Sequence, residues 1–257
     1  MPFPANGENL KLGRGSLLLD LADANGQFSG YQFAGNCTAI GITPEQQRIE
    51  AYSRTQQGSP LIARNTTQTS FTMAITGQEM TLFNLQLILL GDQPAPQSQS
   101  SGPGSASLTD VMPGRYYDLD ARRVSAVTVT EGSNTLVAGT DYDINTEHGV
   151  LYIRPDGSVQ SGDDLSVNFT QAAVSIQKIR MGKVGQQICR VLYLADDVNQ
   201  DGAGARDRLE LWRVDIAPAG ELALISDDYG NFTLSGAILT DASHPDEPYG
   251  SLQRIVA

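Results

Sequence analysis

Four residues in the last third of the chain, Asp197, Asn199, Asp201 and Asp207, have the types that bind calcium. The first three occupy the first, third and fifth positions of an EF-hand loop. The twelfth position of that loop should be a glutamate that supplies two oxygens, but it is Arg208. The flanking segments also read as strands and not as helices. An EF-hand is therefore excluded, a looser calcium site stays an alternative, and we expect an acidic turn between two strands.

No residue pattern typical of an enzyme is found. His148 and His244 lie in turn-like segments, and neither has a neighbouring nucleophile motif such as Gly-x-Ser-x-Gly. The glycine-rich strings "GRGS" and "GPGSAS" are not followed by the Lys-Ser/Thr pair of a phosphate-binding loop. We therefore predict a protein without catalytic activity and without a cofactor.

Most of the chain alternates apolar and polar residues in short runs, which predicts strands. In "SFTMAIT", for example, Phe71, Met73 and Ile75 share one face. The segment between the predicted strands 48–55 and 67–75 is polar. A long projecting loop is therefore predicted over residues 53–67, and a loop of this length usually has a function.

One helix is predicted, over residues 79–90, because the segment is rich in leucine and Gly91 follows it. Its apolar residues cover a wide arc, so we expect it to be covered on more than one side, by its own sheet and by a further partner such as another subunit. One apolar stripe consists of Met80, Phe83, Leu87 and Leu90.

The composition changes twice along the chain. Residues 92–107 are rich in Pro, Ser, Gln and Gly and are predicted to be a linker. Residues 105–172 read as short strands joined by turns, whereas the strands after them resume the style of the first part. We predict a mainly β protein, with a main domain of residues 1–104 and 173–257 and an inserted all-β module of residues 105–172.

The charge and the cysteines limit the partners and the compartment. A net charge of −12 argues against binding nucleic acid or an anionic membrane through a general positive field. Cys37 and Cys189 lie in apolar segments, which favours two buried free thiols in a reducing cytoplasm over a long-range disulfide. The N-terminal residues do not resemble an export signal, and the longest apolar run is too short to span a bilayer. We expect a soluble protein that is made in the cytoplasm and not exported.

Several strings, in this order, resemble the major tail tube protein of long-tailed bacteriophages. They cover nearly the whole chain: "GRGSLLLDLADANGQFSGYQFAGNCTAIGITPEQQRIEAYS", "TQQGSPLIARNTTQTSFTMAIT", "NLQLILLGD" and "LELWRVDIAPAGELALISDDYGNFTLSGAILTDASHPDEPYGSLQRI". Between the last two, "VAGTDYDINTEHGVLYIRPDGSVQSGDDLSVNFT" looks like a strand module that is frequent in virion proteins.

The resemblance implies a β-sandwich or barrel flanked by one helix, assembled into stacked hexameric rings that form a hollow tail tube. It implies a virion protein made in the host cytoplasm, with the tape-measure protein and the tail terminator or tip proteins as further partners. DNA would pass through the lumen without specific binding, and the inserted module would decorate the outside. The loop at 53–67 would reach neighbouring subunits through Ser53, Arg54, Gln57, Gly58, Pro60, Leu61 and Arg64.

The acidity agrees with such a tube, because six copies of −12 give −72 per ring and a lumen lined by part of that charge would repel phosphates. The alternative is a receptor- or carbohydrate-binding component of a tail tip or baseplate. Tyrosines of the inserted module would suit sugar stacking there, namely Tyr116, Tyr117, Tyr142 and Tyr152. A calcium-dependent secreted β protein is a third possibility, which the absence of an export-like leader disfavours.

Overall fold

A computed structural model describes residues 13–197 and 206–255, and the chain divides into two compact units. The main unit consists of Met1–Pro94 and Ile179–Ala257, and the inserted unit of Ala95–Lys178. The two boundaries therefore fall before and after the predicted module of residues 105–172.

In its described residues, the main unit is one antiparallel sheet of eight strands with a single short helix, α1 (Leu82–Ile88). The strand order is β2-β1-β14-β15-β16-β4-β3, and β17 pairs with the first half of β15. The strands are β1 (Gly13–Leu21), β2 (Gln32–Phe33), β3 (Cys37–Tyr52), β4 (Leu61–Gly77), β14 (Gln187–Asp197), β15 (Arg206–Pro218), β16 (Phe232–Ile238) and β17 (Gly250–Ile255).

Alternation along the strands builds the core of the main unit. In β16, every second residue from Phe232 to Ile238 is buried, and the residues that alternate with them are exposed or half-buried. Leu17 and Leu19 of β1 face the same core. A strand with this pattern buries one face of the sheet and leaves the other open.

The inserted unit is a two-sheet sandwich. One sheet has the order β10-β11-β7 and the other β6-β12-β8-β9, and a two-stranded ladder joins β13 and β5. The strands are β5 (Ala95–Gln99), β6 (Gly102–Val111), β7 (Tyr116–Asp118), β8 (Val124–Glu131), β9 (Asn134–Thr135), β10 (Tyr142–Asn145), β11 (Val150–Ile153), β12 (Asp163–Gln171) and β13 (Val174–Lys178).

The inserted unit has its own core and adjacent ends. Leu151 and Ile153 from one sheet and Val167 from the other belong to a single buried cluster, and all three are fully enclosed. Ala95 and Lys178, the first and last residues of the unit, are paired across β5 and β13. The chain therefore enters and leaves this unit at the same place.

The predicted linker is wrong for most of residues 92–107. Residues 95–99 and 102–107 belong to β5 and β6. β6 pairs with β12 over nearly its whole length, so these Pro-, Ser- and Gly-containing residues form part of the sandwich. Backbone pairing, which composition does not report, decides the conformation here.

The predicted single helix is confirmed, but it is shorter than residues 79–90. It begins after Thr81, whose hydroxyl accepts a hydrogen bond from the Asn84 N–H at 3.1 Å. At the other end, Leu90 adopts a positive φ of 48° and Gly91 donates its N–H to the Gln86 carbonyl at 2.9 Å. This is a Schellman ending that places Leu90, and not Gly91, in the left-handed conformation.

The long loop predicted at residues 53–67 is also wrong. β3 and β4 pair from Cys37–Gly77 to Tyr52–Leu61, so the segment is a long β-hairpin. Only residues 53–60 form its turn. Alternation is weak over residues 45–52 and 61–69 because neither face of the strands is buried there, and this made the sequence look like a loop.

Two other predictions concern the membrane and the thiols. Among the described residues, no helix is long and apolar enough to cross a membrane. Cys37 and Cys189 are both free thiols, but only Cys189 is buried and Cys37 is half-buried. Burial raises the pKa of both thiols, and this favours the unreactive protonated form.

Candidate assembly surface

The outer part of the β3–β4 hairpin extends beyond the sheet. β16 pairs with β4 only from Phe71 to Gly77. Beyond this point, residues 45–52 and 61–70 pair with each other and with no other strand of the described residues. We call this two-stranded segment, with its turn at 53–60, the ribbon. At 3.3 Å per residue it reaches about 25 Å past the last three-stranded position.

The ribbon carries apolar side chains without a core to receive them. Ile49 and Ile62 are 66% and 68% exposed, and Tyr52 and Leu61 are about half exposed. An isolated two-stranded hairpin is only marginally stable in water, and exposed apolar side chains gain burial energy when a partner covers them. The ribbon therefore has the properties of a segment that is covered by a partner.

Local hydrogen bonds order the turn of the ribbon. The Ser53 N–H donates to the Pro60 carbonyl at 2.8 Å, and the Ser59 N–H donates to the Gln56 carbonyl at 3.3 Å. Gly58 has a φ of 86°, in the left-handed region that glycine adopts without a steric cost. The end of the ribbon is thus a defined turn and not an unstructured loop.

Three polar side chains form a cluster beside the apolar ones. Arg64 pairs with Glu50 at 3.2 Å across the two strands. The Tyr52 hydroxyl donates to Glu50 at 2.5 Å, and this hydrogen bond raises the pKa of Tyr52. These contacts are exposed and contribute little to stability, but they fix the orientation of the ring of Tyr52.

A second apolar surface lies at the other end of the same sheet. Residues 219–231, here called the basal loop, connect β15 and β16 and are almost entirely exposed. Leu224, Ile225 and Tyr229 are 86%, 97% and 92% exposed. The loop leads into Phe232, which pairs with Gly77 at the end of β4 that is remote from the turn. The ribbon and the basal loop therefore lie at opposite ends of the strands.

The predicted inter-subunit residues all belong to the ribbon. Ser53, Arg54, Gln57, Gly58 and Pro60 lie in its turn, and Leu61 and Arg64 lie in β4. Ser53 is buried by the turn itself, so its side chain is not available to a partner.

Sequence reasoning missed the more exposed apolar residues of both surfaces, which are Ile49, Tyr52, Ile62, Leu224, Ile225 and Tyr229. The available signal was the presence of large apolar residues within otherwise polar segments.

The helix stripe is brought together only in part. Leu87 is fully buried, and Met80 and Phe83 pack against the same core from half-buried positions, although Met80 precedes the helix. Leu90 follows the helix. Asn84 is buried as well and donates its side-chain amide to the Ala34 and Glu79 carbonyls at 2.9 and 2.8 Å.

A second partner of the helix would find few exposed apolar side chains on α1. Asn84 and Gln86 are buried beside Leu87 and Ile88, and Leu82 is the exposed large apolar residue of the helix.

The possible calcium ligands do not form a site in the described residues. Asn199 and Asp201 lie outside those residues, and the side chain of Asp197 is likewise not described. The Asp207 carboxylate accepts hydrogen bonds from Arg254 at 2.9 and 3.3 Å. In the part of the chain that is described, no group of three acidic, histidine or cysteine side chains is placed to hold a metal.

The two histidines have different surroundings. His148 lies in an exposed turn of the inserted unit. The ring of His244 stacks on that of Trp212, with centroids 4.0 Å apart and the planes 4° from parallel. Its Nδ1 lies 3.0 Å from the Asp241 carboxylate, so this residue holds a loop in place in the main unit.

Fold and surface together define a mainly β protein of two units, one of which carries exposed apolar surfaces at both ends of its sheet. The chain belongs to the family described as "Protein of unknown function UCP028589", whose model matches residues 10–256. The match includes both units. No curated protein matches the chain.

Proposed function

We propose that this protein is a structural subunit that assembles with copies of itself into stacked rings, and that the stack forms a tube. The observation that supports this most directly is the pair of apolar surfaces at opposite ends of one sheet, the ribbon and the basal loop. Two different surfaces on one chain favour head-to-tail association, which produces rings or open stacks and not closed dimers.

In this arrangement the ribbon of one copy covers the basal loop of another. Ile49, Tyr52 and Ile62 supply apolar area at the ribbon, and Ile225 and Tyr229 supply it at the loop. Burial of such area favours association by roughly 25 cal/mol per Å² before the entropic costs of binding. Many identical interfaces would then make the assembly stable.

The biological role that we propose for this assembly comes from the resemblance to tail tube proteins. It supports a hexameric ring, a lumen for DNA and a place in the virion, with tape-measure and terminator proteins at the ends of the tube. The net charge of −12 per chain agrees with a lumen that repels phosphates. We propose this role for the protein on those grounds.

The test changes one residue on each surface. Ile62→Glu on the ribbon and Ile225→Glu on the basal loop each place a charge where an apolar contact is required. We expect the wild-type protein to form rings or tubes in negative-stain microscopy and rapidly sedimenting species in the ultracentrifuge. Each variant should remain monomeric and folded, because both side chains are exposed in the monomer.

Mixing the two variants makes the test specific. An Ile225→Glu chain keeps an intact ribbon and an Ile62→Glu chain keeps an intact basal loop, so one interface can form between them and the mixture should contain heterodimers. Met181→Glu serves as the control, since Met181 is 69% exposed and lies outside both surfaces. Normal tubes from both variants, or a mixture that stays monomeric, would contradict the head-to-tail contact.

A further inference from the structure

A groove on the inserted unit has the features of a ligand site that is separate from the assembly surfaces. Its volume is about 840 Å³, and it lies over the outward face of the β10-β11-β7 sheet. The inward face of this sheet contributes Tyr142, Leu151 and Ile153 to the core of the unit. The groove is therefore formed on a sheet that the core holds in place.

The register of the three strands determines which side chains form the floor of the groove. Asp143, Tyr152 and Tyr116 are aligned across the sheet in one row. Asn145 and Val150 face each other in the next row. Because side chains of one face recur every second residue, both rows point outward together.

Two tyrosine rings provide an aromatic platform. The centroids of Tyr116 and Tyr152 are 4.6 Å apart and their planes are inclined by 33°. Tyr116 is 72% exposed, so most of its ring gains no burial energy in the unliganded protein. The ring of Tyr116, which contacts the ring of Tyr152, offers a flat apolar face with a hydroxyl at its edge.

The wall of the groove is a rigid turn, residues 145–149. The backbone carbonyls of Thr146 and Glu147 accept hydrogen bonds from the N–H groups of Val124 and Arg123 at 2.8 and 3.0 Å. The His148 carbonyl accepts a hydrogen bond from the Arg122 guanidinium at 3.0 Å. A turn held in this way keeps its shape before a ligand arrives, which lowers the entropic cost of binding.

Gly149 closes the turn where no other residue fits. It has a φ of 65°, and an added Cβ would lie 1.9 Å from the Ala121 carbonyl oxygen. Its N–H donates to the Asn145 carbonyl at 2.8 Å. The position of the wall thus depends on a close backbone approach that only glycine permits.

The charges of the groove are already neutralised within the inserted unit. Asp143 pairs with Arg154 at 3.2 Å, and Glu147 pairs with Arg123 at 2.8 Å. These carboxylates keep lone pairs that accept hydrogen bonds from hydroxyl groups, but they have no uncompensated charge that would call for a cation. In the described part of the chain, the side chains of Thr146 and His148 have no polar partner, so they are free to bond a ligand.

We infer that this groove binds a neutral oligosaccharide. A pyranose ring presents a face of C–H groups that stacks on an aromatic ring, while its hydroxyls both donate and accept hydrogen bonds. The groove supplies both partners, the tyrosine platform for the C–H face and Asp143, Asn145 and Thr146 for the hydroxyls. Neutralised acids beside an open aromatic pair favour this ligand over a cation or an anion. The inference goes beyond the proposed assembly and does not depend on it.

The test uses saturation-transfer NMR on the full-length protein with maltohexaose, cellohexaose and N-acetylchitotetraose. We expect at least one of these neutral oligosaccharides to bind weakly. Tyr116→Ala should weaken that binding by about tenfold or more, since tenfold corresponds to loss of a single stacked contact. Tyr116→Phe keeps the ring and should bind nearly as the wild type does.

Met181→Ala is the control, because it removes a side chain that is 69% exposed, close to the 72% of Tyr116, from a position outside the groove and both assembly surfaces. It should leave oligosaccharide binding unchanged, and thermal unfolding should show that the Tyr116 variants are folded. The inference is overturned if none of the three oligosaccharides binds, or if Tyr116→Ala and Met181→Ala have the same effect. Binding of the anionic 3′-sialyllactose alone, or a change of oligomeric state in place of ligand binding, would also overturn it.

Discussion

The ribbon of the main unit and the groove of the inserted unit both expose aromatic and aliphatic side chains on strands, but they differ in what supports them. The ribbon has two strands, a tip held by its own turn and, within the part of the chain that the structure describes, no core on either face. The groove has three strands, a core beneath it and a wall clamped by backbone hydrogen bonds. An unsupported surface gains order from a large partner, whereas a supported one is ready to bind a small ligand.

The same difference separates the two units. The inserted unit encloses a core between its two sheets, and its ends meet at the Ala95–Lys178 pair. The main unit leaves apolar residues uncovered at both ends of its sheet. The inserted unit thus has a core of its own, and the proposed assembly assigns the uncovered residues of the main unit to contacts with other copies.

Excision of the inserted unit should have the largest effect on unfolding and the smallest on assembly. Joining Pro94 to Ile179 through a short Gly-Ser linker removes residues 95–178 and one of the two cores. Calorimetry should then show the loss of one transition. Trp212 is the single tryptophan and lies in the main unit, so its fluorescence should report an unchanged native state.

The shortened chain should still form tubes if the inserted unit is an outer decoration. A shortened chain that aggregates or loses the native fluorescence of Trp212 would show instead that the main unit needs the inserted one. Chains that fold but stay monomeric would place part of the assembly surface in the inserted unit.

Core substitutions should act on one unit at a time. Leu151→Ala in the inserted unit and Leu234→Ala in the main unit each remove a side chain that is at most 1% exposed. Each should lower the free energy of unfolding of its own unit by about 2–5 kcal/mol. Denaturant unfolding followed by Trp212 fluorescence should detect the Leu234→Ala change. The Leu151→Ala change should appear in calorimetry but not in the fluorescence, and a shift of both signals by either variant would refute two independent cores.

The smallest expected effect concerns a carboxylate of the main unit. The hydroxyl of Ser243 and its N–H both donate to Asp241, and together with His244 they lower the pKa of Asp241 from 3.8 to about 2. Because the folded-state pKa lies below that of the unfolded chain, the carboxylate stabilises the main unit above pH 3.8. This stabilisation is lost as the pH falls to about 2.

Asp241→Asn should therefore reduce stability at pH 7 and make little difference near pH 2. Denaturant unfolding monitored by Trp212, which stacks on the neighbouring His244, measures this directly. The reduction should be smaller than that of either leucine substitution, because Asp241 lies in an exposed loop. A difference between wild type and variant that persists unchanged at pH 2 would contradict the assigned role of the carboxylate.

The sequence by itself predicted the mainly β class and some residues of the core. Period-two alternation in "SFTMAIT" places Phe71, Met73 and Ile75 on one face, and all three pack in or against the core of the main unit. Alternation survives in a sequence because one face of each such strand is in contact with a core. The change of composition near residue 92 also indicated that a separate segment begins in that region.

The tertiary structure determined strand pairing, register and side-chain exposure, which local sequence patterns do not show. Residues 61–67 and 95–107 looked like loop and linker, yet most of them pair as strands with partners that are distant in the chain or across a turn. The Tyr116–Tyr152 pair joins residues far apart in sequence through the register of β7 and β11. Exposure of Ile62 and Ile225 likewise depends on which elements fail to cover them. Strand pairing, register and the burial of exposed side chains arise from contacts between residues that are distant in the chain. A single sequence records them only weakly, because the conformation of each residue depends on neighbours that it meets after folding.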